Sequence, residues 1–422
     1  LVPLALWTRD GRTLPESEAL GPAPAFDERQ AWDYALADRG TRLLAVVRTW
    51  SLLRRFYAHR DRVADPRALL VEALCSVAED DSPANTHAAL ETLLAGFGDG
   101  NGEVAVEFGK PARRFVPPLA LRWVEERVVV GASASEQALP GDVVTAIDGV
   151  AIDELLAREL GRTPAATASA AIERTVSSLL ARRDKGSAVE LELLRASEAD
   201  EQRVVVSVRA SLPIERAPTG DPRPERALTK LREGVWYLDA TRVRRLDAAA
   251  RRLRKAEAVI VDLRGRLAAP RDSLVAHFLT APRSILGERV PGGPSAQGEL
   301  ELEAADERVV EPRRPSCTCT VVVLADARTH GRAELELAGF DMLGARVVGS
   351  ASAGDLGTVA AAWLPGGWRL RFTTSELRRD DGSRLWGRGV RPSVPVEPTI
   401  VGLRTHEDQL LAAALAELGV QE

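Results

Sequence analysis

With 422 residues the chain is too long for one ordinary hydrophobic core, and two or three domains are expected. Hydrophobic residues make up 45% and charged residues 28%, the balance of a soluble globular protein. Its 56 basic and 61 acidic residues leave a formal net charge of −5, with arginines interleaved among acids rather than gathered in a stripe, which argues against a nucleic-acid partner.

Residues 1–26, rich in Pro, Gly and Glu, read as a surface arm. From 27 to 111 apolar residues return at helical spacing (Leu43, Val46, Val47, Trp50, Leu53, Leu69, Leu90, Leu93), which predicts a helical cap ending in the glycine-rich turn GFGDGNG at 96–102. A β-rich unit follows over 112–212, with strands expected at 119–123, 127–132, 142–147, 188–194 and 203–209 and a helix over 168–182. A Pro-rich charged linker, 213–226, leads to an α/β layer over 227–422. There, strands at 234–239 and 258–263 alternate with helices at 248–255 and 272–279, and an irregular excursion runs to about 315.

The stretch 320–360 organises the last unit: a β-branched strand over 320–325, a turn over 326–330, and a helix opened by Ala333, Leu335, Leu337 and Phe340. A residue at 331 stands at a helix N-terminus, where free N–H groups and the helix dipole activate a nucleophile or hold an anion. That residue is Gly331. The rest of the composition limits the chemistry available. Only four of the basic residues are lysine (Lys110, Lys185, Lys230, Lys255), and arginine cannot serve as a general base. The three cysteines, Cys75, Cys317 and Cys319, lack metal-site spacing and read as small buried residues, with Cys317 and Cys319 on one face of a strand. No cofactor and no metal are called for. No apolar run of roughly 18 residues occurs, so no integral membrane segment is expected. The missing initial methionine is compatible with a removed signal or lipoprotein leader, or with a trimmed start.

The motifs together resemble the carboxyl-terminal-processing (tail-specific) serine peptidases, especially their tricorn-like branch, over about residues 40–415. The helix RLLAVVRTWSLLRRFYAHRD and the turn FGDGNG are similar to that branch's cap, LPGDVVTAIDGVAI to a PDZ core, and VIVDLRGR to the strand that helps build the oxyanion hole. The segment LPGGWRLRFTTSELRRDDGSRLWGRGVRPSVPVEPTI is similar to the C-terminal hairpin. The resemblance implies an α+β multidomain fold: helical cap, PDZ-like β-rich module, and α/β core of crotonase or ClpP-like form. It also implies peptide hydrolysis through an acyl-enzyme.

By the same resemblance, the nucleophilic serine of a Thr-x-Ser-x-x-Glu loop is replaced by Gly331, the cap-turn histidine by Asn101, and the second-loop lysine by Asp355. Oxyanion or cleft roles fall to Gly265, Arg332 and Gly354, and peptide binding to the turn Leu139, Pro140, Gly141 and Asp142. Further departures are Ala268-Ala269 for a Gly-Gly pair and Ser393 for an acid. Thr329 and His330 are the remaining groups that could rescue chemistry, although Thr329 also suits a helix cap, His330 an exposed loop, and Glu334 the helix dipole. Three functions follow: a silent peptidase homologue binding an extended peptide, a protein C-terminal tail or a small apolar ligand; a hydrolase with a relocated centre at Thr329 or His330; or an interaction subunit of an active homologue. The resemblance leans towards an extracytoplasmic location.

Overall fold

A computed structural model describes residues 7–9, 12–14, 38–79, 82–106, 114–196, 201–268, 273–294, 300–305 and 307–419. Most of the expected arm, residues 27–37 of the cap, and Ala269 lie outside them. Of the arm, β1 (Trp7–Arg9) and β2 (Arg12–Leu14) pair as an antiparallel ribbon.

Three helices follow: α1 (Arg39–Phe56), α2 (Pro66–Glu79) and α3 (Pro83–Gly96). Asp38 caps α1 by accepting from the Thr41 N–H at 2.7 Å, and Ser82 caps α3, whose first residue is a proline with no N–H to lose. After the 97–102 turn comes β3 (Glu103–Val106). Leu53, Leu90, Leu93 and Phe97 of the cap share one apolar core with Leu364, Trp368, Leu370 and Phe372, so the cap helices are closed from below by residues more than 260 positions downstream.

The middle unit contains β4 (Phe115–Val116), β5 (Leu119–Val124), β6 (Arg127–Ser133), β7 (Val143–Ile147) and β8 (Val150–Ala151). Two helices, α4 (Ile152–Leu160) and α5 (Ala168–Ser178), are followed by β9 (Ala188–Ala196), β10 (Glu201–Arg209) and β11 (Leu212–Pro213). The sheet order is β10-β9-β7-β6-β5, all antiparallel, and Leu191, Leu193, Val176 and Leu155 fill the space between sheet and helices.

The last unit adds β12 (Leu228–Arg232), β13 (Val235–Asp239), α6 (Leu246–Leu253) and β14 (Ala258–Asp262), then β15 (Arg283–Pro294), β16 (Leu300–Ala304) and β17 (Arg308–Val310). It continues with β18 (Thr320–Ala325), α7 (Arg332–Met342), β19 (Arg346–Gly349), β20 (Val359–Leu364), β21 (Trp368–Thr373) and β22 (Glu376–Arg378), and ends with β23 (Val394–Pro395), α8 (Ile400–Arg404) and α9 (Gln409–Glu417). Strands β13, β14, β18, β19 and β23 run parallel, with β12 antiparallel at the edge. Alternate residues serve opposite faces: Val259, Val261 and Val323 pack on α6 and α7, while Tyr237, Ile260 and Val322 pack on α9.

Three sequence expectations change here. The helix expected over 272–279 is only a 3-10 turn, Val275–Phe278, because the Ala276 and His277 carbonyls accept instead from the N–H groups of Arg313 and Cys317, each at 2.7 Å. The irregular excursion contains the strands β15 to β17. Cys317 is buried with its thiol towards the Ala250 carbonyl, but neither it nor Cys319 lies in a strand, and Cys75 is exposed. Among the described residues no helix is long and apolar enough to cross a membrane.

Asp239 and Asp262 stand side by side where β13 and β14 end, with Asp326 just beyond β18, so the carboxyl ends of the sheet concentrate negative charge. Arginines neutralise it. Arg223, from the expected linker, pairs with Asp221 at 2.9 Å and Asp239 at 3.2 Å, and Arg264 bridges Asp262 at 2.6 Å and Asp408, the cap of α9, at 2.8 Å. Burial alone would raise the Asp262 carboxyl, but Arg223 and Arg264 hold it well below the usual carboxylate range. Arg264→Met, which leaves the largely buried Asp408 without its cation and removes one of the two arginines at Asp262, is expected to lower the unfolding free energy by about 3–5 kcal/mol in urea denaturation.

Candidate functional site

A cleft of about 620 Å³ opens between the cap turn, the middle unit and α7. Gly331, Asn101, His330 and Arg332 line it together. The strand β18 delivers the chain into a tight loop, and Gly331 turns it into α7 with φ +55° and ψ −121°. Only glycine holds that conformation without strain, and nucleophiles on strand-to-helix elbows are presented from strained turns of this kind. A Cβ at 331 would find one atom within 4 Å, Asn101 Oδ1 at 3.9 Å.

Asn101 is held from three sides. Its N–H donates to Asp99 Oδ1 at 3.2 Å, and its side-chain amide donates to the Asp355 carbonyl and to Thr373 Oγ1 at 3.4 Å. Because the amide nitrogen is committed there, Oδ1 is the atom turned towards Gly331. Asp99 accepts from the Thr373 N–H at 2.7 Å and the Thr373 hydroxyl at 2.6 Å, fixing the cap turn onto β21. Burial pushes the Asp99 carboxyl up to about 6.

Asp355 lies buried behind the cleft. Its carboxylate accepts from the Ala166 N–H at 3.0 Å and from the Arg174 guanidinium, and Arg174 also donates to the carbonyls of Gly100 at 2.6 Å and Pro164 at 2.7 Å. Burial raises the Asp355 carboxyl while Arg174 opposes the rise. Gly100 is required by the same packing, since a side chain there would collide with the Asp355 carboxylate.

Glu334 does more than favour a helix dipole. Fully buried, it accepts from Ser352 Oγ at 2.5 Å and from the N–H groups of Gly354 at 2.6 Å and Asp355 at 2.9 Å, stapling α7 to the second loop. The Gly354 N–H is therefore spent and not available to an oxyanion. Burial and then the Asp355 charge raise the Glu334 carboxyl to about 7, against the pull of its three donors.

The rescue candidates also differ from expectation. Thr329 does not cap α7; the cap residue is Gly331, which offers no side chain. The buried Thr329 hydroxyl instead donates to the Leu263 carbonyl at 2.9 Å and accepts from the Asp326 N–H at 3.2 Å, tying the loop to the end of β14. His330 is half-buried rather than exposed, and its pKa is lowered, first by burial and then by Arg174. Its Nδ1 lies 2.8 Å from the Arg328 carbonyl, which can only accept, so Nδ1 carries the proton and Nε2 is an acceptor. Gly265, at φ +123°, follows β14 beside Thr241 and does not line the cleft, although Arg266 and Leu267 do.

The turn Leu139–Asp142 does not line the cleft at Gly331. The Leu139 N–H donates to Asp142 Oδ2, that of Gly141 to the Val130 carbonyl and that of Asp142 to the Leu139 carbonyl, while Pro140 has none. The turn thus has no N–H left for a peptide carboxylate. Asp142 is neutralised by Arg195 at 2.6 Å, and Arg404 of α8 packs against Gly141 and donates to its carbonyl at 3.2 Å.

Arg174 and Ser352 join the site without any signal in the sequence motifs, and Glu334, expected only to favour the helix dipole, joins it as a buried acceptor. Arg174 meets Asp355 across 181 positions, and nothing local marks it.

No protein-family model matches this sequence, and no curated protein sequence matches it significantly. Solved structures do. Mature CPAF is similar with a TM-score of 0.70 at 14% identity, covering 92% of this chain and 98% of that one. Mature CPAF complexed with lactacystin gives 0.69 at 15% identity, covering 92% and 99%. A candidate peptidase from Parabacteroides merdae gives 0.52 at 13%, covering 90% and 96%. The chain therefore has the mixed α+β multidomain fold of CPAF over more than nine-tenths of its length.

Glu334 and Asp99 also set a pH dependence. A carboxyl raised on folding stabilises the native state below its unfolded pKa and loses that contribution as pH climbs through the folded value. For Glu334 the window is from 4.5 to about 7. Stability is expected to fall between pH 5 and pH 7.5, and Glu334→Gln to flatten the slope by up to about 3 kcal/mol, read from urea midpoints at each pH.

Proposed function

We propose that the chain is a catalytically silent relative of the tail-specific serine peptidases that binds an extended peptide in the cleft at Gly331. The observation that carries this reading is the pairing of Gly331 with Asn101. The elbow keeps the backbone form of a nucleophile turn, and the one atom beside the vacant side-chain position is an amide oxygen, Asn101 Oδ1. Acyl transfer needs a hydroxyl or thiol at the first position and a proton acceptor at the second. Glycine has no side chain, and an amide does not accept a proton near neutral pH.

Two further features support it. The lysine alternative is filled by Asp355, whose carboxylate is fully engaged by Ala166 and Arg174. Thr329, the nearest hydroxyl in sequence, is buried with its proton committed to Leu263. We read the middle unit as a PDZ-like module whose role here is structural, since its 139–142 turn has no free donor.

Purified protein is expected to leave casein and unfolded peptides intact and to bind extended peptides in titration calorimetry. Gly331→Ser with Asn101→His is expected to restore slow cleavage, limited by strain of about 1–3 kcal/mol for a serine at φ > 0. Wild-type cleavage abolished by His330→Ala would overturn the reading in favour of a relocated centre.

A further inference from the structure

The cleft at Gly331 has a strong charge asymmetry that the loss of chemistry does not explain. Five arginines line it, Arg174, Arg266, Arg308, Arg332 and Arg371, against one acid, Glu103. Arg266 is exposed and forms no ion pair among the described residues. The others are paired, but three of the pairs are oriented. Arg332 with Glu336 (2.9 Å), Arg308 with Glu288 (3.3 Å) and Arg174 with Asp355 each place the acid deeper than the guanidinium. Each therefore presents its positive end to the cleft. The N-terminus of the 11-residue α7 opens into the same space at Gly331, with no side-chain cap, and adds the positive end of its dipole. Arginine keeps its charge throughout the physiological range, so this field does not titrate away.

Between the arginines the walls carry Leu267, Leu335, Leu356, Val359 and Leu377, with Asn101, Thr163 and His330 as the uncharged polar groups. A second cleft of about 450 Å³ shares Arg308, Arg332 and Leu335 with the first and extends along β17. Glu311, Arg313 and Glu336 line this second part, so the positive charge is concentrated where the two clefts meet, at Arg308 and Arg332.

Resting on the reading of this cleft as a peptide site, we propose that it selects extended peptides carrying acidic side chains between apolar ones, with carboxylates received by Arg266 and Arg332. A guanidinium meets a carboxylate through charge-assisted, often bidentate hydrogen bonds, and its weak hydration makes it the cation best suited to a half-buried groove. The apolar residues of the peptide cover the leucines.

The test is calorimetric titration of the full chain at low salt with a peptide alternating Glu and Leu, its Gln and Leu counterpart, and both again with amidated C-termini. The acidic peptide is expected to bind about tenfold more tightly per engaged carboxylate, with the difference shrinking as salt is added. Arg266→Gln should reduce the preference, and Arg266→Gln with Arg332→Gln should remove it, while amidation leaves it unchanged. Because Arg332 also supports the buried Glu336, the exposed single variant at 266 keeps the test valid if the double variant fails to fold. Equal binding of the acidic and neutral peptides, an undiminished preference in Arg266→Gln, or a preference that follows the free C-terminus overturns the proposal and leaves silent peptide binding standing. Cleavage by the wild type with an acidic preference overturns the silent reading and supports the charge selection. Binding of no peptide overturns both.

Discussion

The contact between Arg174 and Asp355 joins every part of the molecule that shapes the cleft. Arg174 comes from a helix of the middle unit, its other donors hold the Gly100 carbonyl of the cap turn, and Asp355 belongs to the second loop of the α/β layer. Asp355 in turn offers its carbonyl to Asn101 and its N–H to Glu334, which anchors α7. Gly331 therefore faces Asn101 because three segments far apart in sequence are tied through one buried carboxylate. Buried ion pairs are costly to assemble and costlier to break on one side, which favours their use where relative placement matters more than net stability.

A second ionic network does the same at the carboxyl ends of the sheet strands. Arg122 of the middle unit pairs with Glu173 and Asp221, and Arg328 pairs with Asp221 and Asp326. The segment over 213–226 reads as a linker by composition, yet Asp221 and Arg223 are among its most buried residues. Composition reports that a stretch cannot build a hydrophobic core of its own; it does not report that its charges are needed elsewhere. The chain's heavy use of arginine over lysine fits this demand for planar, multiply donating cations in buried positions.

Much of the fold was legible because strand and helix periods leave a plain signature. Strand β18, the Gly331 elbow and α7 lie close to where apolar spacing put them. That Gly331 and Asn101 occupy the elbow and the cap turn was also legible, since both are statements about residue type at a position. What could not be read was who bonds to whom. Thr329 looks like a helix cap by position, but its hydroxyl is claimed by Leu263, and Glu334 looks like a first-turn acid but is a three-fold acceptor for the opposite loop. The 272–279 helix fails for the same reason, since carbonyls that a helix would have used are taken by a passing segment.

The backbone at Gly331 has a consequence for how such a protein changes over generations. Any side-chain-bearing residue at φ +55° carries strain that glycine does not, so under the proposed reading the step that removes the nucleophile also relaxes the fold. The reverse step would have to restore strain before a proton acceptor at 101 could make it useful, and a histidine there would first have to give up the bonds Asn101 makes to Asp355 and Thr373. Loss of this kind runs downhill in one substitution, and recovery runs uphill in two. A lineage that has passed through it keeps the shape of its ancestry while being held away from the ancestral chemistry.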